Sequence, residues 1–349
     1  MLNRLSDRAQ TRLDELYAIG RGRGANRVGY SPEEDEAHDL AAAWMEEAGL
    51  DVERDAAGNL LGRRRGRRAE LPEVWSGSHL DSVPDGGRFD GALGVVAALE
   101  AVERVADPER TLAVVAFRAE ETGCQGSRAC CAAGPLPGAF LEVHVEQGPR
   151  LADAGVPLGV VTAIVGYVRG ELVAEGRPGH AGTTPMEGRE DALCRGAEEV
   201  LRVRDAARRI DGAVATVGQL RVEPGAANVI PARVTLSVDA RAPDAARLDA
   251  LVAAIGVDAA LRVEPVAMDE GLRAVLREEA ERAGAGVLDL SSGAGHDAGI
   301  LAAAGVPSAM LFVRSLAGGV SHAPEEDSSP EDVALAIDVL TAALARLAS

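Results

Sequence analysis

Five of the six histidines in this 349-residue chain fall in short stretches rich in glycine and acidic residues. The stretches are GSHLDSVPDGGRFDG (77–91), EVHVEQGP (142–149), PGHAGTTPM (178–186), SGAGHDA (292–298) and GGVSHAPEE (318–326), with AEETG (119–123) between the first two. A lone histidine is ordinarily a satisfied surface or core residue, and His38 reads that way. The other five, in this company, read as a site. Imidazole nitrogens gathered with carboxylate oxygens suit a divalent cation: zinc first, with manganese, cobalt or nickel able to use the same donors.

Each residue type has a definite use. His79 offers a ring nitrogen to a metal, and Asp81, two positions on, can accept the other ring N–H and fix the tautomer. Asp90 follows on a glycine-rich loop able to wrap back, where a carboxylate can bridge two cations about 3.5–4 Å apart. Glu120 and Glu121 form a like-charged pair that is costly at the end of a buried strand unless a cation is near. If Glu121 binds metal, Glu120 is left as general base on the attacking water. His144 and His322 complete the set. The expected partition is His79, His144 and Asp90 around one cation, and Glu121, His322 and Asp90 around the other.

Such residues need a rigid frame, and the apolar pattern supplies one. Val74–Gly77 reads as a buried strand ending at Ser78-His79, Gly91–Val105 as a helix, and Thr111–Phe117 as a strand ending at Glu120-Glu121. Val306–Val313 is a further strand, followed after a glycine-rich loop by His322. Strands alternating with helices predict a mostly parallel sheet flanked by helices. Ligand groups then gather beyond the carboxyl ends of its strands. Between about Val165 and Val266 the strands alternate in polarity, as in Tyr167–Glu175 and Val234–Arg241, and the helix Asp191–Ala207 accompanies them. That pattern predicts an inserted α+β lid domain with an antiparallel sheet. The expected domains are therefore 1–164 with 270–349 for the metal site, and 165–269 for the lid.

Composition narrows the function classes. A formal charge of −19 and 3% aromatic residues argue against nucleic acid, anionic membranes and base-stacking platforms. The basic run Arg63-Arg64-Arg65-Gly66-Arg67-Arg68 reads as a solvated turn rather than a phosphate patch. No signal-peptide core and no bilayer-length apolar run occur. The four cysteines, Cys124, Cys130, Cys131 and Cys194, form no CxxC pair. A cytoplasmic location is expected. No GxGxxG follows a strand, which disfavours a redox enzyme.

At these residues the chain resembles the M20 superfamily of metal-dependent amidohydrolases and peptidases. The similarity is greatest to the branch of N-carbamoyl-L-amino-acid hydrolases, beta-ureidopropionases and allantoate amidohydrolases. The HxD, the later Asp and the Glu-Glu pair are shared across the superfamily, whereas HVEQGP, HAGTTPM and SGAGHDA mark the branch. The peptidase branches usually place a carboxylate where this chain has His144. The resemblance implies a binuclear amidohydrolase that attacks a ureido or amide carbonyl on a small carboxylate-bearing molecule. An N-carbamoyl amino acid would give the amino acid, ammonia and carbon dioxide. It further implies that His180 stabilises the oxyanion in a neighbouring subunit's site, which calls for a homodimer through the lid. Gln147 and His296 resemble pocket-lining groups, and Asn228 and Arg241 the pair that grips the substrate carboxylate. The sequence departs from the branch after Glu120-Glu121. Thr122-Gly123-Cys124-Gln125 follows, and only 23 positions separate Glu121 from His144. A helical portion is therefore expected to be missing, which alters the pocket wall and leaves the ligands in place. The alternatives are an allantoate amidohydrolase, a peptidase or aminoacylase of the superfamily, and a catalytically silent binding protein of the same fold.

Overall fold

Four runs rich in small and β-branched apolar residues, Val74–His79, Leu112–Phe117, Ala139–Val145 and Ser308–Val313, are buried at every position. They lie side by side and parallel at the centre of one sheet. A strand covered on both faces reads as a largely apolar run, and Leu112–Phe117 is apolar throughout. Val74–His79 and Ala139–Val145 also bury polar residues: Ser76, Ser78 and His79 in the first, Glu142 and His144 in the second. The computed structural model describes residues 2–349, with side chains from residue 7 onward. It contains two compact units, one reaching to Thr162 and resuming at Met268–Ser349, the other Ala163–Ala267. The sequence-based boundaries differ from these by two residues.

The first unit is α/β, mostly parallel at its centre. Leu60–Arg64 and Asp51–Arg54 extend the sheet antiparallel beyond Leu112–Phe117, and Leu158–Ile164 flanks Ser308–Val313 on the other side. Alternate strand residues, such as Val114, Val143 and Leu311, join Leu13, Leu93, Val96, Leu99 and Leu340 in the main core. This is the face covered by the helices Leu2–Ala18, Ala92–Arg104 and Pro330–Leu347. Because side chains alternate along a strand, Glu142 and His144, between the core residues Leu141, Val143 and Val145, project to the opposite face. Ser-Pro pairs start two helices. Ser31 and Ser329 accept the N–H of Glu34 and Asp332, and proline follows at the first helical position.

The basic run is neutralised rather than open. Arg63 meets Glu53 and Glu73, Arg65 meets Asp51, Arg67 meets Glu109, Arg68 meets Glu70, and Arg64 donates to the carbonyls of Val102 and Glu103. No helix among the described residues is long and apolar enough to cross a membrane. All four cysteines are free.

The second unit is a four-stranded antiparallel sheet in the order Asp258–Val263, Gly166–Glu175, Arg233–Ala242, Val214–Glu223. Helices Ala192–Arg208 and Ala245–Ile255 cover one face, burying Val168, Val203, Val238, Ala240, Leu248 and Leu251. A short ribbon pairs Gly179-His180 with Val229-Ile230.

Candidate metal centre

The Asp81 side chain organises the first part of the site. One of its oxygens lies 3.1 Å from His79 Nδ1 and accepts the N–H of Glu120, while the other accepts the N–H of Glu121. His79 ends its strand, so its Nδ1 proton is held by Asp81 and its Nε2 is left for the site. The turn carrying Glu120 and Glu121 is braced from behind as well. Glu34, fully buried, accepts the N–H of Ala119 and pairs with Arg118 at 2.8 Å. Ala119 has φ 51°, a conformation that needs such support in a residue with a Cβ. Asp90 enters from the next loop, followed by Gly91 at φ 65°. A Cβ on Gly91 would lie 2.4 Å from the His79 ring, so only glycine lets the backbone pass beside the imidazole.

Asp90 divides its two oxygens between two groups of side chains. Its Oδ1 is 3.2 Å from His144 Nε2 and 3.8 Å from His79 Nε2. Its Oδ2 is 3.1 Å from His322 Nε2, which in turn lies 3.4 Å from Glu121 Oε1. His144 Nδ1 donates to the Val145 carbonyl, which directs Nε2 toward Asp90. Donors about 2.1 Å from a tetrahedral zinc are about 3.4 Å from one another, so these separations suit a cation at the centre of each group. His79, Asp90 and His144 form one set able to hold an ion, and Asp90, Glu121 and His322 a second. In a third set, Glu142, His144 and His296, the glutamate and His296 already have other partners. Glu142 accepts from Ser78 Oγ and the N–H of Ala298, and His296 Nε2 meets Ser292 Oγ. The donor chemistry fits a cation in a further respect. Glu121 Oε1 and His144 Nε2 are both buried and make no hydrogen bond, although each faces the cluster. Buried polar atoms without partners are costly, and a bound cation satisfies both.

The electrostatics follow from crowding acids and imidazoles away from water. Burial pushes Glu120 up to about 7, against the pull of His79 and aided by Asp90 and Asp81. Burial and then Asp90 lift Glu121 to about 8. Asp90 raises His322 to about 9. At His144 burial acts downward, yet Asp90 outweighs it and the group again stands at about 9. Burial acts upward on Asp90, and His144 and His322 overcome it and hold the carboxyl well below its usual range. Glu120 points its Oε2 into the site, 3.8 Å from His79 Nε2, while Cys124 Sγ lies 3.5 Å from its other oxygen.

The remaining predicted residues take varied places. Gln147 Nε2 donates to Asp90 Oδ2 and Ser321 Oγ at 3.1 and 3.2 Å, within 3.4 Å of His322 Nε2. His296 is buried behind His144, ring centroids 4.4 Å apart, and burial keeps it neutral. The other three lie on the second unit. His180 is exposed, and its Nδ1 accepts the N–H of Gly182, so the ring proton sits on Nε2. Asn228 neighbours it on the ribbon, its carbonyl accepting from Ala181. Arg241 aligns its fork on Asp239, Nε to Oδ1 at 2.7 Å and Nη2 to Oδ2 at 3.2 Å, beside the Tyr167 ring.

Sequence reasoning passed over several buried groups around the site: Arg27, Glu34, Glu142, Asp297 and Glu326, each under 5% exposed. Glu142, Asp297 and Glu326 carried a signal, since they lie in the stretches that contain His144, His296 and His322, whereas Arg27 and Glu34 carried none. Between Glu121 and His144 the chain makes a single nine-residue helix, Gln125–Ala133, before the strand Ala139–Val145.

A profile of peptidase family M20/M25/M40 matches residues 75–346. An N-carbamoyl-L-amino acid amidohydrolase of Geobacillus stearothermophilus is 37% identical over 402 aligned positions, covering 96% of each chain. Those positions outnumber the 349 residues here, so the relative carries stretches with no counterpart in this chain. An allantoate amidohydrolase of Bacillus subtilis is 32% identical, covering 95% of each. The crystal structure of a hydantoinase/carbamoylase family amidase from Burkholderia ambifaria superposes with a TM-score of 0.91 at 30% identity, covering 99% of this chain and 98% of that one.

Proposed function

Since this chain belongs to peptidase family M20/M25/M40, within the branch of N-carbamoyl-L-amino-acid and allantoate amidohydrolases, we propose that it is a two-cation enzyme cleaving the ureido C–N bond of a small carboxylate-bearing molecule. It is a hydrolase of C–N bonds other than peptide bonds. The observation that carries the finer reading is the division of Asp90, one oxygen facing His79 and His144, the other facing His322. In this reading His79, His144 and Asp90 hold one divalent cation, and Glu121, His322 and Asp90 the other. Zinc is the first expectation, with manganese, cobalt or nickel as alternatives. When bound, the two cations supply Lewis acidity to the carbonyl oxygen and acidity to the attacking water.

The protein groups do the rest. Glu120 Oε2 takes the proton of the attacking water and returns it to the departing nitrogen. Its Oε1 rests against Cys124, which fixes which oxygen serves. His180, with its proton on Nε2, is suited to donate to the oxyanion as the carbonyl becomes tetrahedral. In this reading His180 serves the site of a second copy in a homodimer, Asn228 and Arg241 hold the substrate carboxylate, and Gln147 and His296 line the pocket. An N-carbamoyl-L-amino acid would yield the amino acid, ammonia and carbon dioxide. The similarity to an allantoate amidohydrolase supports allantoate, also a ureido carboxylate, as the second reading.

The test is a panel of N-carbamoyl-L-amino acids, allantoate, N-acetyl amino acids and dipeptides. Each is offered to metal-stripped protein reloaded with Zn²⁺, Mn²⁺, Co²⁺ or Ni²⁺, with ammonia and amine release measured. Ammonia from ureido substrates alone is the expected result. Turnover only of acetyl or peptide substrates moves the chain to the peptidase or aminoacylase reading. Fewer than one cation retained per chain after reloading points to a silent binding protein.

A further inference from the structure

The stretch that carries His322 ends in two glutamates with opposite fates: Glu325 is exposed, and Glu326 is buried. Glu326 Oε1 accepts the N–H of Phe89 at 2.7 Å and of Asp90 at 3.0 Å, across 236 positions of sequence in the latter case. Its Oε2 accepts the Ser321 hydroxyl at 2.5 Å. Ser321, next to His322, also accepts from Gln147 Nε2, and that same nitrogen donates to Asp90 Oδ2. The bonds close a ring through Asp90, Gln147, Ser321 and Glu326, so the Asp90 backbone and the His322 loop are tied through one carboxylate. The fit is tight. A Cβ on Gly87 would stand 2.2 Å from Glu326 Oε1, which explains the glycine at that position.

We propose that Glu326 is a positioning residue that holds Asp90 and His322 at the separation needed for the second cation. This rests on the two-cation reading above and extends it. Glu326 is placed in neither ligand set. It acts by accepting three hydrogen bonds, two from the Asp90 loop and one from beside His322. Hydrogen bonds to a charged acceptor are stronger than neutral ones. The His79–His144 side has its own supports, Asp81 and the Val145 carbonyl, so removing Glu326 should fall unequally on the two cations. Groups that orient metal ligands typically contribute about 10–100-fold to metal affinity.

Zn²⁺ titration of metal-stripped full-length protein tests this, with stoichiometry checked by elemental analysis. Wild type and Glu325→Ala should take two equivalents alike. Glu326→Ala should keep the first within a few-fold and lose tenfold or more in the second. Glu326→Gln should recover most of that loss, because its oxygen can still accept the two amide N–H groups and its Nε2 can donate to Ser321. Should Glu326→Ala fail to fold, Glu326→Asp, one methylene short, carries the same comparison and should also weaken the second Zn²⁺. Equal second-site affinity in the variant and wild type, or equal weakening of both sites, overturns the proposal. A wild-type protein that never takes a second Zn²⁺ overturns the two-cation reading instead, before any variant is compared.

Discussion

Glu120 and Glu121 are adjacent and chemically identical, yet the fold gives them different surroundings. Glu121 Oε1 faces His322 and makes no hydrogen bond, whereas Glu120 faces His79 and rests on Cys124. Glu120→Gln should therefore keep its Zn²⁺, measured by elemental analysis, and lose about 10²–10⁴-fold in kcat, the usual contribution of a general base. Unchanged turnover with full metal content would remove Glu120 from the mechanism. The imidazoles set a pH dependence. In the metal-free protein His144 and His322 are raised to about 9, so their stabilising contribution is complete below about 6.5, the unfolded value, and is lost as pH rises through about 9. Glu120 and Glu121, raised to about 7 and 8, act with the same sign, since the folded protein holds their protons more tightly than the unfolded chain does. Asp90 is depressed and stays ionised throughout this window. The Tm in EDTA should be higher at pH 6 than at pH 9, and saturating Zn²⁺ should raise Tm more at pH 9 than at pH 6, because fewer protons must leave. A Tm in EDTA that rises over this range would contradict the assigned directions.

At the scale of elements, the site is a set of loop ends pinned by side chains from distant segments. Asp81 holds the Glu120–Glu121 turn, Glu34 holds Ala119, and Glu326 holds the Asp90 loop. The helix Ala92–Arg104 starts from Gly91, whose positive φ brings the backbone against the His79 ring. Gly91→Ala should cost about 1–3 kcal/mol in chemical denaturation from the positive φ alone. It should also weaken Zn²⁺ binding, as the added methyl displaces the imidazole. Wild-type stability and affinity in that variant would show that the loop relaxes freely. The strand Ala139–Val145 escaped the sequence reading because Glu142 and His144 interrupt its apolar run. Both are buried, and their polarity is matched by Ser78, the N–H of Ala298 and the Val145 carbonyl. A charged residue inside a strand looks like a boundary until its partners are known.

At the scale of the whole molecule, His180 is proposed to serve the site of a second copy. Two inactive variants, His180→Ala and Glu120→Gln, should then regain activity when mixed and allowed to exchange subunits, because one site of each mixed dimer has both groups intact. Continued inactivity, with subunit exchange verified, would place His180 in its own chain's site. By itself the sequence determined the class of chemistry and pointed to the residues proposed for the site, because histidines and acids at strand ends and in glycine-rich loops are local signals. The α/β sheet was legible for the same reason, since strands buried on both faces are mostly apolar, as Leu112–Phe117 and Ser308–Val313 are. Only the tertiary structure decided how Asp90 divides its oxygens, that the arginines at 63–68 are paired with acids, and that Glu326 reaches the Asp90 loop. Those facts depend on side chains far apart in sequence meeting in space, and a buried glutamate is spelled no differently from the exposed one beside it.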